Sequence, residues 1–192
     1  MGRKSVVLIV SAILGVLVLI IGISLIVGYN GLVELEEDIT GKYQQVENRL
    51  LERHDKIGLI VDAIDGLQTH ELAVYQAIVD ARIAYANSTT MDDLINADNL
   101  SAIALTNLLA VMENYPDIAA AGGYYMLIDE ISSTESGLAF ARREYNLAVQ
   151  EYNVEVRKFP KVLYARLLGF EQSYVYWKLN DGEDELPVID FD

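Results

Sequence analysis

The residues that most often carry catalysis are scarce in this chain. It contains two histidines, His54 and His70, and no cysteine. Neither histidine belongs to a Glu-x-x-His or His-x-x-x-His pair, so the sequence lacks the di-iron bundle and zinc hydrolase patterns. It also lacks a Gly-x-Ser-x-Gly elbow and a glycine-rich phosphate loop. We therefore expect a protein without enzymatic activity, without a cofactor and without a metal centre.

Four ionisable residues interrupt apolar heptad patterns and are the candidates for a buried charged site: Arg53, Glu71, Glu135 and Arg142. An unpaired charge is costly to bury. Arg53 and Glu71 lie about 27 Å apart along a helix, and Glu135 and Arg142 about 10 Å, so neither pair can close within its own helix. We expect pairing between helices that sets their register. The functional alternative is a ligand pocket lined by these acids and bases.

Period seven organises the first and third predicted helices. In two columns of the first helix, thirteen of sixteen residues are apolar or tyrosine, whereas chance would supply about eight. The first column contains Leu32, Ile39, Val46, Arg53, Ile60, Leu67, Val74 and Ala81. A matching column of the third helix contains Tyr124, Ile131, Leu138, Tyr145, Tyr152 and Phe159. Such stripes are typical of helices that bury them against one another in a bundle.

The helices themselves are predicted from the same periodicity and from the positions of the three prolines. We expect helices at about 30–85, 91–114, 117–157 and 161–178. Residues 87–90 interrupt the pattern and consist of Asn, Ser and Thr, which favour helix caps. The acids that follow them suit the positive end of the second helix.

An apolar run near the N-terminus predicts a membrane anchor. Residues 6–27 carry no charge, and twenty-two residues in a helix span roughly 33 Å, enough for a hydrocarbon core of about 30 Å. This run is too long for a typical cleaved signal, so we predict an uncleaved anchor at 6–28. Arg3 and Lys4 precede it and only acids follow closely. The positive-inside bias then places a short N-terminus, 1–5, in the cytoplasm and the body outside a single-pass cell membrane.

The body beyond the anchor is acidic. The chain has a formal net charge of −15, and leaving out Arg3 and Lys4 gives the remainder −17. Such a charge disfavours nucleic acid, which is bound through clustered Lys and Arg. Residues 29–178 are long enough for one helical-bundle domain with a continuous core. Residues 179–192 are acidic and rich in turn formers, and we expect a disordered tail there.

The dipeptide Tyr-Asn recurs three times, at residues 29–30, 145–146 and 152–153. The packing candidates are Tyr29, Asn30, Tyr145, Asn146, Tyr152 and Asn153. A half-buried tyrosine adds apolar area and keeps its hydroxyl near a partner, while the neighbouring asparagine can bond to backbone. We interpret the recurrence as packing rather than as a cofactor site.

Several of these residues together resemble the LemA family. The resemblance is carried by Tyr29-Asn30, Arg53, Glu71, Arg82, Tyr115-Pro116, Glu135, Arg142-Arg143-Glu144-Tyr145-Asn146, Tyr152-Asn153, Phe159-Pro160 and Gly169-Phe170. It covers roughly residues 29–177, behind an anchor of the same kind. The resemblance implies a membrane-tethered antiparallel helical bundle of the bacterial or archaeal cell envelope, with no established enzymatic activity.

The sequence therefore predicts an all-α protein, with an N-terminal transmembrane helix followed by a long antiparallel four-helix, LemA-like bundle. The function that we expect is that of a non-enzymatic scaffold or adaptor for other envelope proteins. Its partners would be the lipid bilayer, through 6–28, and unidentified envelope proteins. Exposed heptad faces could also join two copies into a homo-oligomer. The alternative is a binding module that senses a ligand or cation with its interior charged residues.

Overall fold

A computed structural model describes residues 2–63, 72–113 and 124–178. These residues form the helices α1 Arg3–Ala63, α2 Leu72–Ala86, α3 Met91–Glu113, α4 Tyr124–Glu155 and the short α5 Lys161–Tyr164. No strand occurs among the described residues. The predicted all-α fold with an N-terminal apolar helix and a helical bundle is thus confirmed.

The predicted anchor forms the first part of α1, and the helix continues from it into the rest of the chain without a break. The large apolar side chains from Val7 to Val27 are exposed on this part of the helix. α1 is long and apolar enough to cross a membrane. Residues Met91–Val111 of α3 are also long and apolar enough, but 39% of their most apolar stretch is buried inside the protein. That burial is typical of a core helix.

The chain divides into two compact units, which are described separately. Unit 1 comprises Met1–Tyr43 and Glu144–Tyr176. Unit 2 comprises Gln44–Arg143 and Trp177–Asp192. α1 and α4 each contribute residues to both units.

In unit 1, α1 and α4 run antiparallel. The hydroxyl oxygen of Tyr152 lies 3.2 Å from Glu36 Oε1, and Lys42 Nζ lies 3.6 Å from Glu144 Oε2. Later residues of α1 thus lie opposite earlier residues of α4, as the antiparallel arrangement requires. The heptad columns account for the packing, because Leu32, Ile39 and Tyr152 are almost fully buried between the helices.

Unit 2 repeats this antiparallel pairing and adds the α2–α3 hairpin. Arg53 Nε lies 2.9 Å from Glu135 Oε1, and Lys56 Nζ lies 2.6 Å from Glu130 Oε1. The unit's core is built from apolar side chains of all four helices: Ile57, Val74, Ile78, Ala81, Ala104, Leu105, Leu108 and Ile131. Each fully buried Val, Leu or Ile side chain stabilises the fold by about 1.5–3 kcal/mol.

The turn between α2 and α3 falls at the predicted interruption, residues 87–90. Thr90 caps α3, because its Oγ1 accepts a hydrogen bond from the Asp93 amide at 3.2 Å. In return, Asp93 Oδ2 accepts from the Thr90 amide at 3.0 Å. This reciprocal pair satisfies amides that the first turn of a helix leaves open. The hydrogen bonds lower the pKa of Asp93, the Thr90 hydroxyl contributing most.

The predicted helix at 161–178 is wrong beyond its first turn. α5 ends at Tyr164, turns continue to Gly169, and residues 170–178 are not helical. Gly169 has φ 87°, a conformation that suits glycine, and the Phe170 amide donates to Ala165 O at 3.0 Å. Together with the Gly169 amide on Arg166 O, at 3.4 Å, this is the Schellman arrangement that stops a helix. We call the non-helical residues 170–176 the strap.

The other predicted helix bounds agree with the described residues to within a few positions. Of the first predicted helix, residues 30–63 and 72–85 are helical, and 64–71 lie outside the described residues. The predicted 117–157 helix corresponds to α4, described from Tyr124 to Glu155. The single-domain division at 29–178 stays a prediction. The predicted disordered tail, 179–192, lies outside the described residues.

Candidate functional site

The most concentrated set of ionisable side chains inside unit 2 surrounds Asp98. The Asp98 side chain is 0% exposed, and its Oδ1 lies 2.7 Å from Arg53 Nη1 and also accepts from Arg142 Nη2. Its Oδ2 accepts a hydrogen bond from Trp177 Nε1 at 3.1 Å. Arg53 in turn pairs through Nε with Glu135 Oε1 at 2.9 Å. We call these five residues the Asp98 cluster.

Three helices and the chain after the strap position the Asp98 cluster. Arg53 belongs to α1, Asp98 to α3, and Glu135 and Arg142 to α4. Arg53 takes the place of an apolar residue in its heptad column, so the packing that buries Val46 also carries the guanidinium inside, where it is 2% exposed. The antiparallel course of α1 and α4 brings Glu135 opposite it.

Of the four charged residues that the sequence singled out, the structure brings Arg53, Glu135 and Arg142 together, and Glu71 lies outside the described residues. Sequence reasoning missed Asp98 and Trp177. The signal for Asp98 was present, because Met91, Asp98 and Leu105 are spaced by seven on α3. An acid therefore interrupts an apolar column of α3, just as charged residues interrupt the columns of the first and third predicted helices.

The charges of the Asp98 cluster balance. Two guanidinium groups face two carboxylates, and Asp98 accepts from three different side chains. Charge-assisted hydrogen bonds of this kind offset the desolvation of buried ions. Glu135 is the most accessible member, with its side chain 36% exposed. Within the described residues, no group of three or more His, Asp and Glu side chains is arranged to hold a metal ion.

Asn99, which follows Asp98, is the open polar group next to the cluster. It is 4% exposed, and neither its Oδ1 nor its Nδ2 has a hydrogen-bond partner in the described part of the chain. A buried amide in this state costs about 1–3 kcal/mol relative to a satisfied one. A molecule bound at Asn99 would therefore gain a polar contact that the described residues do not supply.

His54 packs against an aromatic ring within unit 2. Its ring stacks on Tyr85 with the centroids 4.7 Å apart and the planes 29° from parallel. Burial lowers the pKa of His54, and the nearby positive charge of Arg82 lowers it further. The imidazole is therefore neutral at pH 7 and acts as an aromatic surface within unit 2.

In unit 1, the Tyr-Asn residues of α4 hold the strap. The Tyr145 hydroxyl donates to Val175 O at 2.9 Å, and the Tyr152 hydroxyl donates to Glu171 O at 2.8 Å. Asn153 binds both backbone groups of Tyr174: its Nδ2 donates to the carbonyl at 2.9 Å, and its Oδ1 accepts from the amide at 2.8 Å. The asparagine side chain thus replaces the backbone partner that a helix would have given Tyr174.

The remaining Tyr-Asn residues lie at the surface or near it. Tyr29 is 44% exposed and meets the ring of Phe170 edge-on, with centroids 5.3 Å apart. Asn30 is exposed, and Asn146 is partly buried. The three dipeptides therefore share a sequence pattern but not one environment.

Burial changes the acidity of the tyrosines under the strap. It raises the pKa of Tyr145 to about 12, with a smaller contribution from Tyr174. It also raises the pKa of Tyr152, whose hydroxyl is near the negative charge of Glu36. Both hydroxyls therefore stay protonated, and remain donors to the strap, well above neutral pH.

An apolar helix of membrane-spanning length, followed by an all-α domain with a charge-balanced interior, defines a membrane-associated helical-bundle protein. The chain belongs to the LemA family, whose sequence model matches residues 42–191. It is also similar to magnetosome proteins MamQ 2 and MamQ 1 of Paramagnetospirillum magneticum, each 31% identical over 96 residues. Magnetosome protein MamQ of Magnetospirillum gryphiswaldense is 29% identical over 96 residues. Each match covers 50% of this chain and 35% of the relative, so the chain spans about a third of the length of these curated relatives.

Proposed function

We propose that this protein is a single-pass, membrane-anchored scaffold or adaptor of the cell envelope with no enzymatic activity of its own. Residues 6–28 cross the cell membrane, the N-terminus is cytoplasmic, and the helical domain binds other envelope proteins on the outer side. The apolar first part of α1 and membership of the LemA family support the membrane anchor. The charges that follow and precede the anchor support the orientation.

The observation that carries the scaffold role is an apolar stripe left exposed on α4. In unit 1, Leu147 and Val154 follow one another at heptad spacing and are 47% and 48% exposed. Tyr145 and Tyr152 on the inner face of the same part of the helix are buried, so the outer column is not needed for the core of unit 1. An apolar heptad stripe is the surface that a partner helix recognises by knobs-into-holes packing. We assign this stripe to an envelope protein that offers such a helix.

Photo-crosslinking in intact membranes tests the proposal. A benzoyl-phenylalanine at Leu147 or Val154 should capture a distinct envelope protein that mass spectrometry can identify. The control is the same residue at Thr106, which is exposed on α3 and lies outside the stripe. Capture of the same proteins from Thr106, or of no protein from either stripe position, would refute the scaffold role. Crosslinks only to a second copy of the chain would show that the stripe serves self-association instead.

One observation favours the binding-module alternative, namely the unpartnered amide of Asn99 beside the Asp98 cluster. A ligand that binds there in the native state must raise the unfolding temperature. A panel of cations and small metabolites should therefore stabilise the wild-type chain but not Asn99→Leu if this alternative holds. Equal responses of both proteins would assign any binding to another place. The scaffold proposal expects no specific stabilisation in either.

A further inference from the structure

The segment 157–168, which contains α5, carries an unusual concentration of exposed apolar side chains. Phe159 is 79% exposed, Leu163 is 68% and Leu167 is 85%. Val162 and Leu168 add further exposed apolar surface. Phe159 continues an α4 column whose residues Tyr145 and Tyr152 are buried, but α4 ends at Glu155 and the chain turns outward before it. Adjacent apolar side chains at this level of exposure mark a contact surface rather than ordinary scatter.

The same segment is basic in an otherwise acidic domain. Residues 156–170 contain four bases and no acid, although the chain beyond the anchor has a net charge of −17. Lys161 Nζ lies 2.7 Å from Glu155 Oε2, and Lys158 bonds to the other oxygen of that carboxylate. Arg157 and Arg166 are exposed. The segment therefore combines apolar and cationic side chains, as peptides that bind at membrane surfaces do.

Contacts within unit 1 fix this segment beside the end of the anchor. Tyr164 packs so closely against Gly28 that a Cβ at residue 28 would lie 1.7 Å from its hydroxyl oxygen. A groove of about 210 Å³ is shared by Ser24 and Val27 of α1 and by Phe159 and other residues of the segment. If residues 6–28 cross the bilayer, as proposed above, Gly28 lies where the anchor leaves it. The segment then lies at the same depth.

We propose that residues 157–168 form a second membrane contact, which enters the interface of the same bilayer next to the anchor. Phe159, Leu163 and Leu167 bury apolar area between the headgroups and the acyl chains, and Arg157 and Arg166 meet anionic phospholipid headgroups. Apolar insertion and attraction between basic residues and anionic lipids add to one another in such contacts. The contact also orients the bundle, because a helix held only at one end is free to tilt and rotate about its anchor. This inference rests on the proposed membrane anchor.

Site-directed spin labelling of the full chain in vesicles tests this contact. The chain contains no cysteine, so a single introduced cysteine takes the label cleanly. Leu167→Cys reports on the segment. The control is Val175→Cys in the strap, which is 64% exposed. The carbonyl oxygen of Val175 accepts a hydrogen bond from the Tyr145 hydroxyl, and the ring centroid of Tyr145 lies 6.0 Å from that of Tyr43. Tyr43 is about 22 Å along α1 from Gly28. Val16→Cys reports on the anchor itself.

In vesicles of phosphatidylcholine mixed with phosphatidylglycerol, the Leu167 label should favour dissolved oxygen over a water-soluble nickel complex, as the Val16 label does. The Val175 label should show the reverse preference. If the Val16 label is in lipid while the Leu167 label is as accessible to nickel as the Val175 label, the membrane contact is refuted and the anchor stands. If the Val16 label itself is in water, the proposed anchor fails, and the contact fails with it. Spin–spin broadening of the Leu167 label that grows with protein density would assign the surface to a second copy.

The lipid class is tested with the same label. Omitting phosphatidylglycerol should shift the Leu167 label toward water, and Arg157→Gln with Arg166→Gln should abolish the difference between the two lipid mixtures. An unchanged label depth in both mixtures would overturn the role of the anionic headgroups.

Discussion

Replacing Asp98 by alanine is the most direct perturbation of the interior of unit 2. The substitution removes the carboxylate that Arg53, Arg142 and Trp177 share. Arg53 keeps Glu135 as a partner, but the Arg142 guanidinium, with its side chain 11% exposed, loses the Asp98 carboxylate that compensates its charge inside the unit. The substitution therefore separates buried cations from their counter-charge without altering the surface.

The size of the effect follows from the burial of these groups. Breaking a buried ion pair by removing one partner costs about 3–5 kcal/mol, because the remaining charge stays desolvated. The Asp98 side chain is 0% exposed and that of Arg53 is 2%, so solvent screens little of this cost. Against a typical free energy of unfolding of about 5–15 kcal/mol, Asp98→Ala should remove a large share of the stability.

Urea unfolding of the full chain in detergent micelles, followed by far-ultraviolet circular dichroism, measures this loss. The chain has a single tryptophan, and Trp177 Nε1 donates to Asp98, so tryptophan emission reports on the cluster at the same time. Asp55→Asn is the matched control, because Asp55 is an exposed acid on α1 in the same unit. We expect the control to change the free energy of unfolding by less than about 0.5 kcal/mol.

A joint replacement separates the cost of an unpaired charge from the value of the cluster. Arg53→Met, Asp98→Leu, Glu135→Gln and Arg142→Met in one chain should cost less than the sum of the four single changes, since no charge of the cluster is then left without its counter-charge. Single replacements of Glu135 and Arg142 complete the series. If these two changes and Asp98→Ala each alter stability by less than about 0.5 kcal/mol, the cluster does not set the helix register, and the reasoning is refuted.

Three further predictions concern unit 1. Asn153→Ala should speed amide exchange in the strap and cost about 1–3 kcal/mol, because two partly buried backbone groups of Tyr174 each lose a hydrogen-bond partner, whereas Asn107→Ala at an exposed site should do neither. Since burial raises the pKa of Tyr145 from 10.0 to about 12, its contribution to stability is complete below pH 10 and is lost as the pH rises toward 12. Tyr145→Phe should remove that part of the alkaline loss, and an unchanged pH profile would contradict it. Gly28→Ala should displace the tyrosine packed on it and cost about 1–3 kcal/mol, whereas Gly22→Ala, which meets nothing within 4 Å, should be neutral by thermal unfolding.

The helices, including the apolar N-terminal one, could be predicted from the sequence because they depend on local patterns. A run of apolar residues determines a membrane-length helix whatever surrounds it. The heptad spacing that includes Leu32, Val46 and Leu138 determines which helix face is buried, and all three are buried as the pattern indicates. The same spacing identified Arg53 as an interior charge before any partner was known.

The failures of prediction lie where distant segments meet. The helix expected at 161–178 stops at the Gly169 turn, and beyond that turn Asn153, 21 residues from Tyr174 in sequence, takes over the backbone hydrogen bonds of Tyr174. No pattern within the segment itself shows that competition. The exposure of Phe159 was missed for a similar reason. Phe159 has the heptad spacing of the buried residues, but the helix that would have buried it ends at Glu155.

The sequence alone thus determined the helical class, the apolar N-terminal helix, the buried faces and the presence of charges among them. Only the tertiary structure decided that Arg53 meets Asp98, 45 residues away, and that Arg142 and Trp177 share the same carboxylate. Periodicity depends on neighbours within one helix, so it can be read along the chain. The partner of a buried charge depends on how far one helix is shifted along another, and that shift is set by the packing of every side chain between them.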